Sequence, residues 1–172
     1  LTEKDIFFFF FFFEHDLEYL ALSFVRRPED IEELRLLLPK GMLIVAKIEK
    51  DSALERIEDI LKVSDAVMVA RGDLGVELGF ERLAEVQEEI LWLCEAAHLP
   101  VVWATQVLEG LIKRGAPTRA EITDAATAER AECIMLNKGP YLPEALDTLS
   151  NLVGRMSRHQ SKKTARFSPL PW

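Results

Sequence analysis

The sequence predicts an α/β protein, a partial TIM (β/α)8 barrel of about five βα units. Three observations carry this. Short apolar runs of strand length alternate with longer amphipathic stretches of helical length, the pattern of parallel strands joined by crossover helices. Consecutive strands begin 23, 23, 35 and 32 residues apart, near the ~31 residues per unit of a barrel in which ~250 residues make eight units. The first strand is followed by Arg26-Arg27-Pro28-Glu29, whereas an open doubly wound sheet, the other architecture consistent with the alternation, ordinarily carries a glycine-rich phosphate loop there. At 172 residues the chain supplies about five and a half units.

The elements follow in order. Strands are expected over Leu20 to Val25, Leu43 to Ile48, Ala66 to Ala70, Val101 to Ala104 and Cys133 to Leu136. Between them helices are expected over Pro28 to Leu38, Ala53 to Val63, Phe80 to Ala97 and Arg119 to Arg130, and Pro143 to Arg158 closes the series. Pro28 with Glu29 and Asp30 marks one helix start, Asp51 or Ser52 serves as an N-cap, and Pro143-Glu144 opens the last helix. Residues 1–158 form the partial barrel and 159–172 a basic tail.

With 49% apolar and 29% charged residues, the chain has the composition of a soluble globular protein, which excludes disorder and collagen-like repeats. Seven of the ten phenylalanines form the run Phe7 to Phe13. Glu3, Lys4, Asp5, Glu14 and Asp16 close in on it, so it falls short of the ~20 apolar residues of a membrane span. Leu1-Thr2-Glu3-Lys4-Asp5 lacks the basic start and small-residue cleavage site of a secretory signal. The run is expected to be a corrupted or expanded stretch of an outer helix. Cys94 and Cys133 sit in apolar runs, and two unpaired core thiols suit a reducing cytoplasm. Of the net charge of −8, residues 1–147 carry −13 and the tail +5, since Arg155, Arg158, Lys162, Lys163 and Arg166 follow Asp147 with no acid among them. A short basic tail is not the folded basic face that nucleic acid requires, so neither nucleic acid nor membrane is an expected partner.

Polar groups stand at the C-terminal end of every strand: Ser23 and Arg26, Lys47 and Glu49, Arg71 and Asp73, Thr105 and Gln106, Asn137 and Lys138. In barrel enzymes side chains converge on substrate at this face. Alternation along a strand points Lys47 and Glu49 into one site while Ile48 packs outward. Glu49 and Asp73, with no histidine or cysteine beside them, make a hard oxygen site for Mg²⁺ or Mn²⁺. Arg71-Gly72-Asp73-Leu74-Gly75 is expected to turn so that backbone N–H groups meet an anion. Lys47 is placed to neutralise a transferring phosphoryl group or an enolate, and Thr105 to hold or relay a proton. His15, His98 and His159 lie away from the strand ends and are given surface or capping roles.

Several strings, in order and spacing, resemble pyruvate kinase: Ala21-Leu22-Ser23-Phe24-Val25-Arg26, Ala46-Lys47-Ile48-Glu49, Met68-Val69-Ala70-Arg71-Gly72-Asp73-Leu74-Gly75, Ala104-Thr105-Gln106 with Leu108-Glu109, and Pro117-Thr118-Arg119-Ala120-Glu121. The likeness runs from about Leu1 to Leu149 and corresponds to strands 4 to 8 of that family's barrel. It implies a cytoplasmic glycolytic enzyme that transfers the phosphoryl group of phosphoenolpyruvate to ADP, giving pyruvate and ATP, with Mg²⁺ and K⁺. Residue by residue, it implies that Lys47 stabilises the transferring charge and binds substrate. Glu49 and Asp73 match the metal ligands, Gly72 and Asp73 the substrate-binding turn, and Thr105 the threonine near the protonated carbon. Thr118 to Glu121 match a stretch near subunit contacts of a homo-oligomer. The family's three preceding strands, with an arginine and the K⁺ ligands, its lid and its regulatory domain have no counterpart here, and Leu136-Asn137-Lys138-Gly139-Pro140 replaces its Ser-Gly-Glu-Thr. The chain is therefore expected to be a fragment. An Mg²⁺-dependent lyase or aldolase acting on pyruvate enolates, and a truncated copy without turnover, are the alternative readings.

Overall fold

The computed structural model describes His15 and residues 17–163, with side chains as far as Arg158; the Phe7 to Phe13 run and the end of the tail lie outside the described residues. The chain forms two compact units, one of residues up to Thr105 together with Ala131–Met135, the other of Gln106–Arg130 with the residues from Leu136 onward.

The first unit holds a five-stranded parallel sheet in sequential order. Its elements are β1 (Tyr19–Leu22), α1 (Pro28–Leu37), β2 (Leu43–Ile48), α2 (Asp51–Leu54), α3 (Ile57–Val63), β3 (Ala66–Ala70), α4 (Arg71–Leu78), α5 (Phe80–Ala97) and β4 (Val101–Ala104), with β5 (Cys133–Ile134) after the second unit's first segment. Paired residues share a face of the sheet. Ile44, Ala46, Ile48, Val67, Val69, Val101 and Trp103 lie on one face and are buried, as are Ile31 and Leu34 of α1, Ile60 and Leu61 of α3, and Val86, Ile90, Leu91 and Cys94 of α5. Each large side chain so buried contributes about 1.5–3 kcal/mol. The opposite face, which carries Tyr19, Leu43, Lys47, Met68, Val102 and Cys133, is open at its margins: Tyr19, Leu43 and Cys133 are exposed. Parallel sheets are ordinarily covered on both faces, and among the described residues β1 and β5 each have one neighbour. This is an arc of a barrel that does not close.

The structure departs from the sequence expectations at several elements. The helix expected over Ala53 to Val63 is two helices, broken where Arg56 leaves helical geometry at φ −123° and ψ 21°. Neither Asp51 nor Ser52 caps it; Lys50 is the N-cap and Asp51 the first helical residue, its carboxylate bonded instead to Arg82 Nη1 at 3.2 Å. The first and last strands are shorter than expected, and the segment from Arg71 is a helix and not a turn. Gly75 packs closely there: an added Cβ would meet Leu83 and Phe80 side-chain atoms at 3.1 and 3.2 Å, so those side chains would have to shift by a few tenths of an ångström. Gly79, at φ +85°, ends that helix. Of the two thiols only Cys94 is buried, and Cys133 is exposed, because it stands on the open face of the last strand. His98, at φ 55°, caps the C-terminus of α5, as its position suggests.

The second unit contains α6 (Glu109–Arg114), α7 (Arg119–Thr127), a 3-10 turn (Ala128–Arg130) and α8 (Leu142–Lys163). Thr118 and Glu121 form a capping box at the start of α7. The other Glu121 oxygen accepts the Gly110 amide. Burial raises the Glu121 pKa, but the Thr118 and Gly110 amides and the Thr118 hydroxyl outweigh it and hold the carboxyl below its usual range. Gly115, at φ +77°, lies under the Tyr141 ring, while Ala145 and Leu149 are the buried positions among the described side chains of α8.

Candidate active site

The C-terminal ends of β1, β2, β3 and β4 bring together two small networks. In the first, Glu49, one residue beyond β2, is 1% exposed. A carboxylate there requires partners for both oxygens. Lys47 Nζ lies 2.6 Å from Oε1, and the Phe24 amide donates to Oε2 at 2.7 Å. The same ammonium donates to Ser23 Oγ at 2.8 Å. Lys47 and Glu49 therefore share a side while Ile48 is buried between helices and sheet. Phe24 adopts a left-handed φ of 59°, unusual for a bulky residue, and that turn aims its N–H at Glu49.

The second network joins β3 and β4. Arg71, 8% exposed, donates from Nε to the Ala104 carbonyl at 3.2 Å and from Nη2 to the Thr105 carbonyl at 2.8 Å. Its guanidinium lies 4.6 Å from the centre of the Trp103 ring. The Gly72 amide donates to Thr105 Oγ1 at 2.7 Å. Thr105 itself has φ 68°, a conformation that costs a β-branched residue on the order of 1–3 kcal/mol and persists only where its surroundings over-determine it. Here Arg71 fixes its carbonyl and Gly72 its hydroxyl. Because Oγ1 accepts from Gly72, the hydroxyl proton stays available to a ligand.

Asp73 occupies the first turn of α4, with an exposed side chain. The expected residues are thus brought together as Lys47 with Glu49 and Gly72 with Thr105, with Asp73 standing apart on the helix between them. The Gly72 amide, expected to face an anion, is committed to Thr105. Gln106, Asn137 and Lys138 belong to the second unit, and β5 ends three residues before Asn137. Among the described residues no cluster of three acids, histidines or cysteines could by itself hold a metal. Glu49 has both oxygens bonded, to Lys47 and the Phe24 amide, and Asp73 is exposed on α4; both are carboxylates, the hard oxygen donors that Mg²⁺ takes one or two of beside water and substrate oxygens.

Sequence reasoning did not single out the partnership around Lys50, whose Nζ lies 2.5 Å from Glu77 Oε1 and 5.7 Å from the centre of the Phe24 ring. The Lys50 ammonium holds the Glu77 carboxyl below its usual range, aided by the Asp51 amide.

No helix among the described residues is long and apolar enough to cross a membrane. The family model described as pyruvate kinase, barrel domain, matches residues 1–142. A pyruvate kinase of Thermotoga maritima is 41% identical over a 182-residue alignment that covers 100% of this chain and 38% of the relative. Those of Dictyostelium discoideum and Methylorubrum extorquens are 41% and 40% identical over 88% and 92% of the chain, covering 32% and 34% of their own lengths. The chain spans about a third of the curated relatives it matches.

Proposed function

The chain belongs to the pyruvate kinase family, and on that premise we propose that it carries part of the machinery that moves the phosphoryl group of phosphoenolpyruvate to ADP. The observation that supports this reading is the Lys47 ammonium held between Glu49 and Ser23 at 2.6 and 2.8 Å, at the ends of adjoining parallel strands. Phosphoryl transfer asks a protein mainly for positioning and charge neutralisation, and a fixed ammonium beside a buried carboxylate provides both.

In this reading Lys47 neutralises charge on the transferring group and then on the enolate. Its two acceptors limit where the ammonium can move. Glu49 and Asp73 would hold Mg²⁺, or Mn²⁺, which when bound polarises the substrate oxygens. Gly72 orients Thr105 through the amide-to-hydroxyl bond, and the Thr105 hydroxyl would relay a proton, giving its own to the enolate carbon as it takes one from water. The remaining parts of the family's site, an arginine, the K⁺ ligands and the lid, would come from other strands of a longer polypeptide or from a second chain. The proposed setting is the cytoplasm.

A coupled assay for pyruvate tests the reading, run on the chain with the complementary strands supplied. Pyruvate formed only with both ADP and Mg²⁺, and lost in Lys47→Met, supports it. Pyruvate released without nucleotide, or cleavage of a hydroxy-oxo acid, would assign the site to an enolate lyase instead.

A further inference from the structure

We infer that Lys50 and Glu77 form a latch that sets the separation of the two candidate metal carboxylates, with Lys50 acting as a positioning residue; the inference rests on the metal-site reading above. Glu49 and Asp73 stand on different elements, one just past β2 and the other in the first turn of α4. Two donors can grip one cation only if those elements are held at a fixed spacing. The start of α4 is tied toward β4, through Arg71 to the Ala104 and Thr105 carbonyls and through the Gly72 amide to Thr105.

The tie toward β2 is made by Lys50. This residue follows Glu49, and Glu77 lies four residues after Asp73 on α4, so the two acids occupy neighbouring positions on the helix surface. The Lys50–Glu77 pair is two-thirds buried, with side chains 29% and 34% exposed. The Lys50 ammonium also sits over the ring of Phe24, whose amide holds Glu49 Oε2. The Asp51 carboxylate continues the chain of contacts to Arg82 on α5. Lys50 thus connects the peptide that orients one donor to the helix that carries the other.

The sign of the effect separates positioning from simple electrostatics. An ammonium near a cation site repels the cation, so a purely electrostatic Lys50 predicts tighter metal binding when its charge is removed. A positioning Lys50 predicts weaker binding. Outer partners of metal ligands typically contribute 10–100-fold to metal affinity, and a latch two contacts away from the donors belongs at the lower end.

The test is Mn²⁺ binding to the 172-residue chain, read by electron paramagnetic resonance as free Mn²⁺ disappears, with thermal midpoints measured alongside. Lys50→Met and Glu77→Gln are each expected to weaken Mn²⁺ about tenfold, and the double variant no more than either alone, since the two residues act as one unit. Backbone amides of residues 72–75 should exchange faster in Lys50→Met without metal. Exchanging the pair, Lys50→Glu with Glu77→Lys, should recover most of the affinity and covers the case in which a single variant fails to fold. Lys50→Met binding Mn²⁺ as tightly as the parent, or more tightly, overturns the latch while leaving the metal site standing. If Glu49→Gln and Asp73→Asn bind Mn²⁺ like the parent, the metal-site reading fails and the latch with it.

Discussion

Removing the Lys47 ammonium should cost more than removing the charge of its partner. Lys47→Met strands Glu49, which is 1% exposed, with the Phe24 amide as its remaining contact. Breaking a buried pair from one side costs about 3–5 kcal/mol, because an uncompensated charge is left behind. The Lys47 side chain is 24% exposed, so water reaches its place and the low end applies, about 3 kcal/mol. For a chain of this size each 1 kcal/mol shifts Tm by roughly 2–4 °C, which gives about 6–12 °C. Glu49→Gln is the milder change. Its carbonyl still accepts from Phe24, and Lys47 keeps Ser23 and partial solvent, so about 1 kcal/mol is expected. The double variant Lys47→Met with Glu49→Gln should be more stable than Lys47→Met alone, since no buried charge remains. Thermal unfolding followed by fluorescence reads this in the first unit, where Trp92 and Trp103 lie. Equal losses for the two single variants, or a double variant at the sum of both, would refute the reasoning.

Glu121→Gln should destabilise the second unit at neutral pH by about 1–2 kcal/mol. Because the folded carboxyl titrates below its ordinary value, the contribution of its charge is fully present above the unfolded pKa and is lost as pH falls through the folded one, so parent and variant should converge in urea titrations once the pH lies below the folded pKa. Gly110→Ala should act on the same contact, since an added Cβ would meet both Glu121 oxygens at 2.7 Å, and combining it with Glu121→Gln should cost less than the sum. Thiol titration at pH 8 should find Cys133 reactive in the folded chain and Cys94 silent until unfolding, as burial, aided by the Glu132 charge, pushes the Cys94 thiol up to about 12; two fast thiols would contradict its burial.

The alternation of apolar runs and amphipathic helices was enough to place all five strands, because side chains such as Ile44, Val67 and Val69 are buried by the same periodicity that sequence reading detects. What escaped was local. The helix over Arg71–Leu78 was hidden by Gly72 and Gly75, which read as turn residues; here Gly72 lies against Thr105 and Gly75 under Phe80 and Leu83, so close packing and not chain reversal explains them. The short α6 was missed because it is only Glu109–Arg114, less than two turns. In the site, Lys47, Glu49 and Thr105 were legible from strand ends. The Phe24 amide and the Lys50–Glu77 pair were not, since a left-handed φ and a contact across 27 residues leave no periodic trace. Thr118 and Glu121, matched to a subunit-contact stretch, have a role within the chain that the capping-box spacing itself announces.

The claim that the strand ends form one Mg²⁺-dependent site for an enolate-forming phosphate ester is tested most directly by calorimetric binding of phosphoenolpyruvate, which does not require turnover. Heat of binding should appear only with Mg²⁺ present, disappear in both Glu49→Gln and Asp73→Asn, and survive in Asp51→Asn, an acid on the far side of the Lys50 contact. Binding that persists without Mg²⁺, or that is unchanged in the Glu49 and Asp73 variants, would contradict the account.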